Sequence, residues 1–223
     1  GLFVIEIKEV TTNKELKEFV DFQFRLYRNN KFWVPPLRID EINTLRRDKN
    51  PAFEYCEAKY WLALKDGEVV GRIAGIINYL YIKKWGAKNA RFGWIDFIDD
   101  RQVSKKLLET VEAWAVDKGM TGLHGPLGFC DLDREGLLVD GFEEMGTFTT
   151  IYNYPYYSLH LEEHGYVKDV DWLEYELEIP HEMPVVIEKA SQEALRRFNL
   201  RVLETKKPKD FLPYVKGIFQ LLN

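Results

Sequence analysis

The strongest chemical grouping in the chain lies between residues 90 and 129. A strand read over residues 91–98 runs into two adjacent carboxylates, Asp99 and Asp100, and from there into a helix over residues 101–118. Gly119 stops that helix, and a second strand is predicted over residues 122–129. A helix that opens at the carboxyl end of a strand presents unsatisfied backbone N–H groups and the positive end of its dipole, which is the chemistry of an anion site. The two carboxylates stand at the same spot, and either can accept one of those N–H bonds as the N-cap.

The elements around this unit are marked by their patterns. Val103, Leu107, Leu108, Val111, Trp114 and Ala115 recur at helical spacing, while Lys105, Lys106, Glu109, Glu112 and Asp117 fall elsewhere. Upstream, Phe3, Ile5 and Ile7 alternate as a half-buried strand. Thr11-Thr12 then cap a helix with Leu16, Phe19, Val20, Phe24 and Tyr27 on one face, and Trp33-Val34-Pro35-Pro36 turns the chain. A shorter helix is predicted over residues 38–47, ended by Asn50-Pro51. Residues 60–64 and 68–81 read as strands joined by Lys65-Asp66-Gly67, a hairpin signal.

Residues 130–150, with Gly136, Gly141 and Gly146 among carboxylates, read as a long loop, and such loops inside domains are often functional. A short helix over 155–164, stopped by Gly165, and an alternating strand over 172–179 follow. The class is therefore mixed α/β with a mainly antiparallel sheet.

Residues 1–180 read as one domain and 181–223 as a helix-strand-helix segment. Shifting the first strand and helix by 195 positions pairs Ile5 with Leu200, Ile7 with Val202, Phe19 with Tyr214 and Phe24 with Phe219. Either any strand followed by an amphipathic helix echoes another, or a second copy of the fold begins near Asn199.

With 223 residues, 46% hydrophobic and 30% charged, the chain can bury a full core. A net charge of -5 and pI near 5.5 give no electrostatic reason to expect nucleic acid or an anionic membrane as partner. Residues 73–82, the longest mostly apolar run, are too few to span a bilayer. No basic region followed by a long apolar segment marks an export signal. Cys56 and Cys130 show no Cys-x-x-Cys pairing, which argues against a zinc ribbon or a disulfide framework and fits a reducing cytoplasm. His160-Leu161-Glu162-Glu163-His164 has the H-x-x-E-H spacing of inverted zinc proteases, but the helix is short and no third ligand is identifiable, so no metal is expected.

The element order, with Val69-Val70-Gly71-Arg72-Ile73-Ala74-Gly75 on a central strand and Leu161-Glu162-Glu163-His164-Gly165-Tyr166 before the last one, resembles the GCN5-related N-acetyltransferase (GNAT) superfamily over about residues 3–179. Phe92-Gly93-Trp94-Ile95-Asp96-Phe97-Ile98-Asp99-Asp100, His124-Gly125-Pro126 and Gly136-Leu137-Leu138-Val139-Asp140-Gly141-Phe142 look like a bacterial branch of it.

The resemblance implies an acyl-CoA-dependent N-acyltransferase that moves an acyl group, acetyl first of all, to an amine of a small molecule or peptide. It implies acetyl-CoA held by Phe97, Ile98, Gln102, Val103, Ser104, Lys105 and Tyr156, with the acyl carbonyl polarised by backbone N–H near Phe97 and Ile98. At the family's pyrophosphate turn this chain carries Asp99, Gln102 and Ser104 in place of the usual residues, and Gln102 obstructs an approach that glycine permits.

The family's frequent tyrosine acid falls on Leu161, leaving Tyr156, Tyr157 and His160 as the nearest substitutes, and Asp96 and His124 are both candidate bases. The tyrosines equally fit a packed core edge. Asp99, Gln102 and Leu161 favour the alternative, a GNAT-fold binding or assembly module without catalysis. A tandem arrangement like the transferases that use aminoacyl-tRNA fits the internal echo, but the acidic pI opposes it. Exposed edge strands make a homodimer an expectation.

Overall fold

The Asp66-Gly67 hairpin forms as read. Both residues have positive φ, 52° and 80°, and they join β2 (Cys56–Lys65) antiparallel to β3 (Glu68–Asn78). In the computed structural model, which describes residues 4–222, this hairpin is the middle of a five-stranded sheet of order β1 (Ile5–Glu9), β2, β3, β4 (Asn89–Phe97), β5 (Gly122–His124). All pairings are antiparallel except β4 with β5. The mixed α/β class with a mainly antiparallel sheet is the observed one.

On one face, α1 (Asn13–Leu26) starts with a capping box. The Glu15 N–H donates to Thr12 Oγ1 at 3.2 Å and the Thr12 N–H to Glu15 Oε2 at 3.2 Å. It buries Phe19 and Val20 in a cluster with Leu62, Ala74, Ile76 and Phe129, and α2 (Arg38–Leu45) adds Leu45. On the other face, α4 (Arg101–Asp117) buries Val103, Leu107, Leu108, Val111, Trp114 and Ala115 against Trp61, Ile73, Ile77, Phe92 and Phe97. The helix comes in close because Gly75 of β3 has no side chain: a Cβ there would lie 2.8 Å from the Trp114 ring. Short helices α3 (Tyr79–Trp85) and α5 (Tyr156–Glu163) complete the first compact unit, Gly1–Asp169.

The second unit, Val170–Asn223, holds α6 (Val185–Arg197), a 3-10 turn (Pro208–Tyr214) and α7 (Val215–Leu222). Among the described residues no helix is long and apolar enough to cross a membrane.

Four expectations about elements need correction. The strand predicted through residue 81 ends at Asn78, whose side chain accepts the Tyr81 N–H at 2.9 Å and caps α3. The strand predicted over 122–129 stops at His124, and the chain thereafter is tied to β4 by the Leu127 N–H to Phe92 carbonyl bond of 2.8 Å and by Arg91, whose Nη1 donates to the Gly128 carbonyl at 3.0 Å. Residues 172–179 alternate but join no sheet, since a strand exists only by virtue of a ladder partner and none pairs with them among the described residues. No strand forms after Asn199 among those residues either, so the second copy of the fold echoed by Leu200 and Val202 is not confirmed. Phe3, the first residue of the alternation in the predicted N-terminal strand, lies outside the described residues.

Candidate functional site

The site begins with a bulge in β4. The β3–β4 register runs from Ala74 opposite Gly93 to Arg72 opposite Asp96, so Ile73 faces two residues, Trp94 and Ile95. Trp94 takes φ 44°, a costly conformation for an aromatic residue, and the surroundings hold it there: its indole Nε1 donates to Glu41 Oε2 of α2 at 3.0 Å and its ring packs on Phe129. The bulge re-aims β4 so that Trp94, Ile95 and Asp96 all line one cavity of about 50 Å3. Gln23 and Glu41 close it from α1 and α2, Tyr27 from the residue after α1, and Arg134, Leu137, Ile151 and Tyr152 from the segment between β5 and α5. That volume is room for a few waters or one polar head group.

The cavity floor is a buried ion pair with two phenols. Asp96 Oδ2 accepts from Arg72 Nε at 2.8 Å and Nη2 at 2.7 Å, and Oδ1 accepts from the Tyr157 hydroxyl at 2.8 Å. Each phenol has one proton. Tyr157 gives its proton to Asp96, and Tyr27 gives its own to the Tyr157 oxygen at 2.7 Å, with Asp96 3.0 Å away. Burial first, and the Asp96 charge second, push both tyrosines well above the ordinary phenol range, so both are donors at any physiological pH. Arg72 also donates to the Phe19 carbonyl at 3.0 Å. The lone pairs of Asp96 are therefore committed to groups of the protein itself.

Glu41 differs. Trp94 at 3.0 Å and Gln23 Nε2 at 3.4 Å both donate to its Oε2, and none of the described cations lies within ion-pair distance of it. Arg134, which also lines the cavity, donates to the Phe148 carbonyl at 2.7 Å, and burial lowers its pKa.

At the end of β4, α5 lies against the strand. The Tyr156 hydroxyl donates to the Phe97 carbonyl at 2.5 Å, the Phe97 N–H donates to the Tyr157 oxygen at 3.4 Å, and the Ile98 N–H donates to the Val70 carbonyl at 3.0 Å. His160 is sandwiched between Ser104 Oγ at 2.8 Å and Asp99 Oδ1 at 2.8 Å, with Arg101 Nη1 3.1 Å away. Arg101 in turn makes a two-bond pair with Glu163. The first turn of α4 is closed by one residue. Asp100 Oδ1 accepts the Gln102 N–H at 2.9 Å, and its carbonyl accepts from Val103 at 3.0 Å and Ser104 at 3.2 Å. Lys65 lies 3.1 Å from the Asp100 carboxylate. In this arrangement the helix start does not fit a pyrophosphate, whose N–H donors are already bonded and whose charge would face Asp99, Asp100 and Glu163.

Of the residues singled out from sequence, Asp96, Phe97, Tyr156 and Tyr157 converge at the carboxyl end of β4. Val103 and Ser104 are buried under α5 and the sheet, while Gln102 and Lys105 face solvent, Lys105 beside Glu109. His124 is not part of the cavity wall: it pairs in register with Arg91 at the far end of β4, and burial, then Arg91, lower its pKa. His160 and His164 each face their own carboxylate, Asp99 and Glu112. The sequence reading missed Arg72 as the partner of Asp96, and also missed Tyr27, Glu41 and Arg134. The signal available for Arg72 was a charge within an otherwise apolar strand.

No protein-family model matches the chain. Among curated proteins it is similar to Protein YghO of Escherichia coli (strain K12), 34% identical over 167 residues covering 75% of this chain and 43% of that protein. It is also similar to the bacterial ceramide synthase of Caulobacter vibrioides (strain NA1000 / CB15N), 29% identical over 192 residues covering 86% of this chain and 50% of that protein. The chain thus spans about half the length of the curated relatives it matches.

The solved structures it resembles include acetyltransferases and a tandem GNAT protein. One is a "predicted acetyltransferase" from Clostridium acetobutylicum with acetyl-CoA, at a TM-score of 0.49 and 10% identity over 78% of this chain and 96% of that one. Another is a tandem GNAT protein from the clavulanic acid pathway, at 0.44 and 19% over 54% of this chain and 35% of that one.

Proposed function

We propose that this chain carries an N-acyltransferase site, taking an activated acyl group from acyl-CoA to an amine at the β4 bulge. The observation that carries the reading is the bulge itself, which puts the consecutive residues Trp94, Ile95 and Asp96 on the lining of one cavity with a fixed polar floor. Backbone N–H groups held at such a place are the standard means of polarising a thioester carbonyl. The Phe97 and Ile98 N–H groups are bonded to the Tyr157 oxygen and the Val70 carbonyl, so polarising the carbonyl from them requires those bonds to break.

Asp96 fixes Arg72, Tyr27 and Tyr157 as the floor, and Tyr157, which lines the same cavity as the bulge, is the candidate proton donor. The relative named a ceramide synthase supports the reaction class, because a ceramide is an amide of a fatty acid and a long-chain amine. It favours a fatty acyl donor over acetyl and a small-molecule amine acceptor over a peptide. The second reading, a binding module without catalysis, is favoured by one observation: Asp100 occupies the α4 N–H groups that a CoA pyrophosphate needs.

Calorimetric titration with acetyl-CoA, palmitoyl-CoA and CoA separates the two. Micromolar binding, about -8 kcal/mol, supports the transferase. No heat with any of the three at millimolar ligand leaves the binding module.

A further inference from the structure

We propose that Glu41 is the amine-recognition residue of the cavity, holding the ammonium of a primary amine on its free carboxylate oxygen and accepting one proton from it. The inference rests on the acyl-transfer reading and goes beyond it by naming the group that selects the acceptor.

Two carboxylates line the cavity and only one is available. Asp96 is neutralised by Arg72 through two short bonds and takes a phenol proton on its other oxygen, so an incoming ammonium would have to break a buried ion pair. Glu41 is held from one side only. Trp94 and Gln23 both donate to Oε2, which fixes the rotamer and leaves Oε1 free to accept. The indole that positions it belongs to the bulged residue, so the carboxylate and the backbone of Trp94 and Ile95 are tied to the same point of β4.

The charged groups around Glu41 are Arg134, Arg72 and Asp96 in the same cavity, and Asp133 nearby, whose carboxylate accepts the Phe129 N–H at 2.7 Å. Neither arginine lies within ion-pair distance of Glu41, so an incoming ammonium has no cation to displace from it. A cavity of about 50 Å3 admits the amine and the first carbons of a substrate whose remainder lies outside. The proton balance is simple: R–NH3+ gives one proton to the carboxylate and becomes R–NH2 with a free lone pair.

The Trp94 indole N–H is a built-in reporter, because it is bonded to the carboxylate that would bind the ligand. In a 15N-labelled chain, assigned through Trp94→Phe, n-hexylamine is titrated to tens of millimolar against n-hexanol and N-acetylhexylamine, without CoA. The expected result is a saturable shift of the Trp94 indole resonance with hexylamine at low-millimolar affinity and none with the two neutral probes. Glu41→Gln keeps an oxygen for the indole and is expected to weaken the amine at least fivefold, while Glu41→Asp restores part of the affinity. The other indole resonances check that each variant is folded. No shift in the unaltered chain, an equal shift with hexanol, or an unchanged affinity in Glu41→Gln overturns the proposal. Acyl-CoA binding measured separately keeps the two readings apart: amine recognition without acyl-CoA binding fails the transferase alone, and the converse fails Glu41 alone.

Discussion

Replacing Asp96 by Asn tests how the cavity floor is held. Arg72 is 3% exposed and Asp96 7%, and they meet through N–O distances of 2.8 and 2.7 Å. Asn is nearly the same shape and can still accept one of those bonds, so what the substitution removes is the counter-charge of a buried guanidinium. Leaving such a charge unpaired costs about 3 to 5 kcal/mol, far more than the ~1 kcal/mol of an ordinary hydrogen bond. With a urea m-value of about 2 to 3 kcal/mol/M for a domain of this size, the midpoint falls by about 1 to 2.5 M. Tryptophan fluorescence is the assay, since Trp33, Trp61, Trp85, Trp94 and Trp114 report on the first unit and only Trp172 on the second. Replacing both partners, Arg72→Met with Asp96→Leu, removes the charges together and is expected to destabilise less than the two single changes added. A midpoint shift below about 0.3 M for Asp96→Asn would refute the reasoning, because it would mean that Arg72 does not depend on Asp96 for its charge balance.

Other perturbations follow from the same geometry. Tyr157→Phe leaves Asp96 one donor short and is expected to cost about 1 to 3 kcal/mol in the same urea assay. Asp100→Ser keeps an N-cap oxygen for Gln102 but removes a charge from the α4 start; it should raise CoA affinity about tenfold by calorimetry if phosphates dock there, and leave it unchanged if they dock elsewhere. His124 has its pKa held below the ordinary 6.5, so it binds fewer protons folded than unfolded and its contribution is lost as pH falls below that value. His124→Gln should therefore shrink the drop in urea midpoint between about pH 7.5 and pH 5.5. The Cys56 thiol, pushed up to about 12 by burial, should react with Ellman's reagent at about pH 8 only after denaturation.

Local signals in the sequence were followed by the chain wherever the structure they specify is local. The α4 helix, expected over 101–118, is Arg101–Asp117 with Asp100 as its cap, and the Asp-Gly turn and the Thr12 cap also formed. The predicted strand over 172–179 shows the limit, because alternation marks a face to bury while pairing is supplied by another segment. The same limit governs the cavity. Asp96 stood out on β4, but its partners lie 24, 61 and 69 residues away, and Glu41 meets Trp94 across 53. The left-handed Trp94 had no precursor in the pattern, since no turn residue precedes it except Gly93, whose lack of a side chain admits the Leu127 carbonyl instead. At the α4 start the adjacent carboxylates were visible, but that Asp100 and not Asp99 caps the helix, freeing Asp99 for His160, depends on α5.

The docking of α5 on β4 also bears on how the sheet margin is kept from pairing with other chains. β5 pairs with β4 only over Asn89–Arg91, so beyond it Phe92, Ile95 and Phe97 belong to a bare margin of the sheet, an invitation to intermolecular pairing. The Tyr156 and Tyr157 hydroxyls occupy the Phe97 carbonyl and N–H, and Leu127 occupies the Phe92 carbonyl, so side chains and a loop stand where a neighbouring strand would bond. A protease cut in the loop before Pro155 that released α5 would expose that margin, and the expected consequence is aggregation into β-rich material instead of a smaller soluble domain.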